Sequence, residues 1–214
     1  MDINSLKQKI ILKSFNAGIS SDEVSNAKLI VNNKLKNSNL FVCEGLWAVD
    51  KLIERKIKVR EFFFNMDKIN SGNIDEKSLE KIAKMIDYSE KNYAISEKAC
   101  KKISDRDGYD EFFIIAEQPK VTLKDIENKF KNNNNVLAII MDGLEQPGNI
   151  GAILRSFDCA GGDFAIITNK QAKLTNSRLV RSSLGASFML PVLESEIDEV
   201  QDWLEKLFPS DLLT

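Results

Sequence analysis

Asn149 and Arg155 lie in the stretch DGLEQPGNIGAILRSFDCAGG, which runs from Asp142 to Gly162. An apolar run precedes this stretch and a helical pattern follows Pro147-Gly148, so it reads as a strand-to-helix corner. Such corners hold anions, because a helix N-terminus offers unpaired N–H groups and a partial positive charge. A small nucleotide would be the first ligand to consider. A dinucleotide fingerprint, however, needs Gly-x-Gly-x-x-Gly and a P-loop needs Gly-Lys-Ser/Thr. PGNIGAILR has neither, which disfavours a Rossmann-like nucleotide enzyme.

At helical spacing, Ile150, Ile153, Leu154, Phe157 and Gly161 fall within about 100° of arc and form the expected buried stripe. Arg155 falls opposite, beside Gly151, Ala152, Cys159 and Gly162. Two readings follow. The small residues clear a surface from which a ligand approaches the guanidinium, or they let another helix pack closely while Arg155 extends to water. Asn149 is equally open: it faces a ligand, or it is an N-cap. Cys159 reads as a small filler, since no neighbouring base is evident.

Composition limits the chemistry. The 214 residues contain no histidine and three cysteines, Cys43, Cys100 and Cys159, far apart and without a Cys-x-x-Cys pair. A zinc site and every Ser-His or Cys-His arrangement are thereby disfavoured, and no metal is expected. Chemistry must rest on Arg, Lys, Asp, Glu, Asn or hydroxyls, or on a reactive cofactor. Lys plus Arg number 30 against 32 Asp plus Glu, a net charge of −2. That average hides a local pattern. Lys170, Lys173, Arg178 and Arg181 stand in a stretch without acids, and Glu194, Glu196, Asp198, Glu199, Asp202 and Glu205 follow it. A positive patch within a net acidic chain is expected. No apolar run approaches the roughly 20 residues that span a bilayer, and MDINSLKQKIILKSF lacks a signal-peptide core. A cytoplasmic protein without membrane contact is expected.

The elements that must position these residues fall into an α/β pattern. The first forty residues predict two helices, at 4–15 and 22–35. NLFVC, VREFFFN and EFFIIAEQP then predict strands alternating with helices over EGLWAVDKLIER, DEKSLEKIAKMID and SEKACKKIS. We expect an N-terminal helix over 1–22, a small α/β domain over 23–119 and a linker helix and polar Asn turn over 120–135. A second α/β domain would occupy 136–214. In it, VLAIIMDG and FAIIT read as strands buried on both faces of a parallel sheet, ASFMLPV as a weaker strand, and EIDEVQDWLEKLF as a helix. Ligands of such sheets gather at the C-terminal strand ends, after Met141, Ile167 and Leu190.

Asp142, Pro147, Asn149, Gly151, Arg155 and Gly161 together resemble the first conserved motif of the SpoU (TrmH) family of RNA ribose 2′-O-methyltransferases, with its Asn-x-Gly-x-x-x-Arg core. NSRLVRSSLGASFMLPV is similar to a basic family stretch with a Ser-x-Gly-Ala turn. NLFVCEGLWAVDKLIERKIKVREFFFN and the region around AISEKACKKIS resemble the family's L30e-like RNA substrate-binding domain. The resemblance implies an L30e-like domain followed by a parallel-sheet α/β-knot (SPOUT-type) methyltransferase domain. It implies S-adenosylmethionine as cofactor, ribosomal or transfer RNA as substrate, and a homodimer. It also implies catalytic roles for Arg155 and Asn149, with RNA phosphate contacts at Lys170, Lys173, Arg178 and Arg181. The family holds the methyl donor in a C-terminal knot with a Gly-x-Glu motif and then an Ile-Pro-Met…Ser-Leu-Asn motif; the second does not occur in the 214 residues, and no Gly-x-Glu follows the third expected strand. The methyltransferase domain is therefore expected to be truncated. The alternative is a non-catalytic RNA-binding module that has lost the cofactor-binding knot. Isothermal calorimetry of this chain with S-adenosylmethionine is expected to show weak binding or none, and tight binding would remove the case for truncation.

Overall fold

The computed structural model describes residues 2–35, 38–104, 108–132 and 135–207. They form two units: Met1–Gln118 with Thr175–Arg181, and Pro119–Leu174 with Ser182–Thr214. The first unit runs α1 (Ile3–Leu12), β1 (Phe15–Asn16), α2 (Asp22–Val31), β2 (Leu40–Glu44), a 3-10 turn (Leu46–Ala48), α3 (Val49–Glu54) and β3 (Val59–Asn65). It continues with α4 (Met66–Asn70), α5 (Glu76–Tyr88), β4 (Lys91–Ile95), α6 (Glu97–Ile103) and β5 (Phe112–Glu117). Its sheet has the order β1-β4-β3-β5-β2, with β4 parallel to β1 and β3, and β5 antiparallel to β3 and β2.

Alternation builds this unit. On one face Val42, Phe63, Tyr93, Ile95, Phe113 and Ile115 pack with Val24, Ala27, Ile30 and Val31 of α2 and Ala99, Cys100 and Ile103 of α6. Phe62 and Phe64 alternate to the opposite face and are fully buried. Helix starts follow side-chain chemistry: Ser21, Asp75 and Ser96 each accept an N–H from the first turn. The helix expected at 4–15 ends at Leu12, and Phe15–Asn16 instead joins the sheet edge beside Tyr93 and Ala94. The second helix stops at Val31, where Asn33 takes a left-handed φ of 57°. α4 went unpredicted because it is one short turn, capped by Asn65.

The second unit contains α7 (Leu123–Asn132), β6 (Ala138–Asp142), α8 (Pro147–Cys159), β7 (Phe164–Thr168), α10 (Ala186–Met189), β8 (Val192–Glu194) and α11 (Ile197–Leu207). α9 (Ser177–Ser183) lies between β7 and β8 in sequence and belongs mostly to the first unit. The three strands are parallel in the order β6-β7-β8. Ile126, Phe164, Ile166, Leu193, Val200 and Trp203 form the core on one face. Phe130, Phe164 and Trp203 meet ring to ring with centroids 5.8–6.4 Å apart, and the Trp203 indole N–H donates to Glu127 at 3.1 Å. The part of the polar turn at 133–134 lies outside the described residues.

Two sequence expectations fail here. All five residues of β7 are buried, as FAIIT implies, but β6 buries only Met141 fully and leaves Leu137 at 49% and Ile140 at 43% exposure. Both strands are apolar runs, yet among the described residues β6 lies at the sheet's edge, and periodicity does not distinguish a central from an edge position. ASFMLPV is also not one strand: Gly185 takes a φ of 99°, Ala186–Met189 form a helix, and Val192–Glu194 pair with β7. Phe164→Ala is expected to destabilise the second unit by about 3–5 kcal/mol, because it leaves a cavity against Phe130 and Trp203. Urea unfolding followed by Trp203 fluorescence measures it.

Candidate active site

β6, β7 and β8 run parallel, so Asp142, Thr168 and Glu194 end on the same edge of the sheet. Asp142 ties two of these ends together. Its Oδ1 accepts the hydroxyl of fully buried Thr168 at 2.8 Å and the side-chain amide of Asn169 at 2.8 Å. Gly143 donates its N–H to the Thr168 carbonyl at 3.1 Å. Glu194 closes the loop after β7: its Oε2 accepts from Lys170 Nζ at 3.0 Å and its Oε1 from the Leu174 N–H at 3.2 Å.

α8 leaves this edge with Gln146 as N-cap and Pro147 in its first turn, where a missing N–H costs no helical bond. Asn149 is therefore not the cap. It sits within the first turn, exposed, with its backbone N–H bonded to the Gln146 carbonyl at 3.0 Å and its side chain without a partner among the described residues. Arg155 is exposed on the same helix, and its guanidinium has no partner among the described residues.

The small residues on α8 have different structural uses at different positions. Gly151 is buried and α8 packs on α10, so close helix packing uses that glycine. Gly161 and Gly162 end the helix: Gly161 has a φ of 79°, and the Gly162 N–H reaches back to the Phe157 carbonyl at 3.0 Å. A Cβ on Gly162 would stand 2.2 Å from the Phe157 ring. Gly161 is exposed rather than part of the stripe, and Ile153 and Phe157 are only half-buried beside fully buried Ile150 and Leu154. Cys159 is exposed, so it fills nothing. The other two thiols are inert: burial pushes Cys43 well above the ordinary thiol range and Cys100 up to about 12.

The four basic residues singled out by sequence are divided. Lys170 and Lys173 belong to the second unit, Arg178 and Arg181 to the first. Lys170 is paired with Glu194, and Arg181 with Glu44. Lys173 and Arg178 are exposed, with side chains unpartnered among the described residues. The pairing of Lys170 was hidden because Glu194 opens the acidic run, which sequence separates from the basic stretch and the sheet brings back to it.

The family model of the SpoU rRNA Methylase family matches residues 136–212, from the start of β6 through α11 and including Asp142, Asn149 and Arg155. Across more of its length, the chain is 23% identical over 178 residues to the 23S rRNA (guanosine(2553)-2′-O)-methyltransferase RlmP of Bacillus subtilis, covering 83% of this chain and 63% of that protein. A 23S rRNA (uridine(2479)-2′-O)-methyltransferase of Streptomyces viridochromogenes is 39% identical over 70 residues, 32% of this chain and 24% of that one. The chain thus spans less than two thirds of the length of these relatives. Among solved structures, the AdoMet-bound rRNA methyltransferase of Sinorhizobium meliloti superposes with a TM-score of 0.73 at 19% identity, covering 90% of this chain and 69% of that one. The AdoMet complex of the SpoU methyltransferase AviRb from Streptomyces viridochromogenes gives 0.71 at 20%, covering 87% and 68%. At such identities the superpositions establish the fold.

Within the SpoU segment, the Asp142–Thr168 bond is the tie between strand ends. Asp142→Ala is expected to cost about 1–3 kcal/mol, because it leaves the buried Thr168 hydroxyl without its acceptor. Thr168→Val, which removes the donor and leaves Asp142 bound to Asn169, should cost less in the same urea titration.

Proposed function

We propose that this protein acts in S-adenosylmethionine-dependent 2′-O-methylation of ribose in ribosomal or transfer RNA, and that Arg155 is the catalytic residue it contributes. The observation that carries this reading is the exposed guanidinium of Arg155, unpartnered among the described residues, on the same helix as exposed Asn149 and within the stretch that the family model matches. The RlmP similarity over 83% of the chain supports the same reaction class.

In the reaction a ribose 2′-oxygen takes a methyl group from a sulfonium centre, which leaves as a neutral thioether, while the 2′-hydroxyl proton passes to water. The donor supplies the methyl group and its own leaving group, and no histidine is required. The protein must position the hydroxyl and stabilise the alkoxide charge that develops on it. A guanidinium stays charged at all working pH values, so Arg155 acts by gripping an RNA phosphate with two parallel N–H donors and favouring the 2′-oxyanion, rather than as a base. Asn149, one end of whose side chain accepts and the other donates, orients the same nucleotide. Lys173 and Arg178 add phosphate contacts, and Lys170 joins them where an RNA phosphate competes with Glu194. The residues at the strand ends do not fit as holders of the methyl donor. Asp142 and Glu194 are bonded internally. The groups named above act on the RNA side of the reaction. The reading includes a cytoplasmic location and pairing of two copies. Among the described residues no helix is long and apolar enough to cross a membrane. Sedimentation as a monomer at micromolar concentration would remove the pairing.

In a methyl-transfer assay on ribosomal RNA with a donor-competent form of the protein, Arg155→Lys is expected to lower the turnover rate by about 100-fold, because lysine lacks the two-pronged geometry. Full activity in that variant would refute the clamp. RNA affinity of the unmodified chain should fall about tenfold between 50 and 200 mM salt, as counterion release from a few phosphates requires.

A further inference from the structure

Glu44, the last residue of β2, keeps only 5% of its side chain exposed. A carboxylate this buried is stable only when paired and hydrogen-bonded. Its Oε1 accepts from Arg181 Nη1 at 3.3 Å, and its Oε2 accepts from the Ser104 hydroxyl at 3.2 Å. Towards the other end of α9, Asn33 grips Ser177 twice. The Asn33 Oδ1 accepts the Ser177 N–H at 3.0 Å, and its Nδ2 donates to the Ser177 hydroxyl at 3.3 Å. Asn33 holds this position in a left-handed conformation, φ 57°, which asparagine tolerates better than most residues. Asn176 then accepts the N–H groups of Arg178 and Leu179 at 3.0 and 3.4 Å. The first three amide donors of α9 are thus used within the protein, and this helix start is closed to an anion. Arg178 lies between the two anchors, exposed and unpartnered among the described residues.

We propose that Glu44 and Asn33 form a two-point clasp on α9. In it Glu44 is a positioning residue that holds Arg181, and Arg178 is the cation that α9 presents to RNA phosphate. Glu44, Asn33, Ser177, Arg178 and Arg181 all belong to the first unit, so the clasp is internal to it. An RNA phosphate that drew Arg181 away would leave the Glu44 carboxylate buried without its cation, which opposes the exchange. Arg178 has no such tie. The clasp stands on contacts alone, and the role of Arg178 rests on the RNA reading above.

Two measurements on the 214-residue chain test these parts separately. Without RNA, amide hydrogen exchange at Ser177–Arg181 is expected to rise about tenfold or more in Glu44→Gln and in Asn33→Ala, as a local anchor is lost. The reversed pair Glu44→Arg with Arg181→Glu should restore the protection, a rescue that loss of packing alone would not give. Unchanged exchange in both single variants, or no rescue by the reversed pair, overturns the clasp. With a synthetic RNA hairpin, Arg178→Gln is expected to reduce the log–log salt slope of binding by about 0.9, the effect of one phosphate contact. The reversed pair, which keeps the clasp but removes the Arg181 cation from α9, should leave the slope unchanged. A drop in the reversed pair as large as that in Arg178→Gln overturns the assignment of Arg181. If the exchange results hold but the unmodified chain fails to bind the hairpin at low salt, the RNA reading and the role of Arg178 fall while the clasp stands.

Discussion

Burial of β7 from both faces and pairing on both edges is the constraint on which the second unit depends. A five-residue strand with every side chain buried must have helices above and below it and strands on either side. Parallel neighbours cannot be joined by tight turns, so the connections cross the faces of the sheet as helices. The three strands consequently end together, and the Asp142 carboxylate, the Thr168 hydroxyl and the Glu194 carboxylate meet the start of α8 at one edge. The carboxylates there are engaged with neighbours of the same unit, which fixes the loops rather than leaving charges free. What projects from the edge is the first turn of α8 with Asn149 and, farther along, Arg155.

The cations of this protein divide by whether a carboxylate lies within reach, and that decides their function more than their number does. Lys170 meets the partly buried Glu194, and Arg181 meets Glu44, whose burial makes that pairing worth keeping. Lys173, Arg178 and Arg155 meet none among the described residues. Under the proposed function, a chain of net charge −2 offers positive groups to RNA through the cations left unneutralised after folding. The absence of histidine fits the proposed chemistry: a fixed cation stabilises charge on a ribose oxygen, and the hydroxyl proton passes to water.

Much of the fold is legible in the residues. Alternation in VREFFFN and EFFIIAEQP, the helical period of DEKSLEKIAKMID, and Ser or Asp at helix starts each record a local physical preference that the structure keeps. The corner at Pro147 is legible too, because proline in a first helical turn and paired glycines at a helix end have narrow uses. Less legible was what each small residue on α8 is for. Gly151 allows a helix to approach, while Gly161 and Gly162 end the helix against the Phe157 ring, and all three look alike on a helical wheel.

By itself the sequence determined the alternation of strands and helices, the corner that carries Asn149 and Arg155, and the exclusion of histidine chemistry. These follow from side-chain type and spacing along one element, which is local information. Only the tertiary structure decided that β6 is an edge strand among the described residues, that Gln146 rather than Asn149 caps α8, and that Lys170 and Arg181 are paired while Arg155, Lys173 and Arg178 are not. Those outcomes depend on which distant residues become neighbours. A carboxylate 137 residues away in sequence, such as Glu44 from Arg181, changes a charge only once folding has brought it within 3.3 Å.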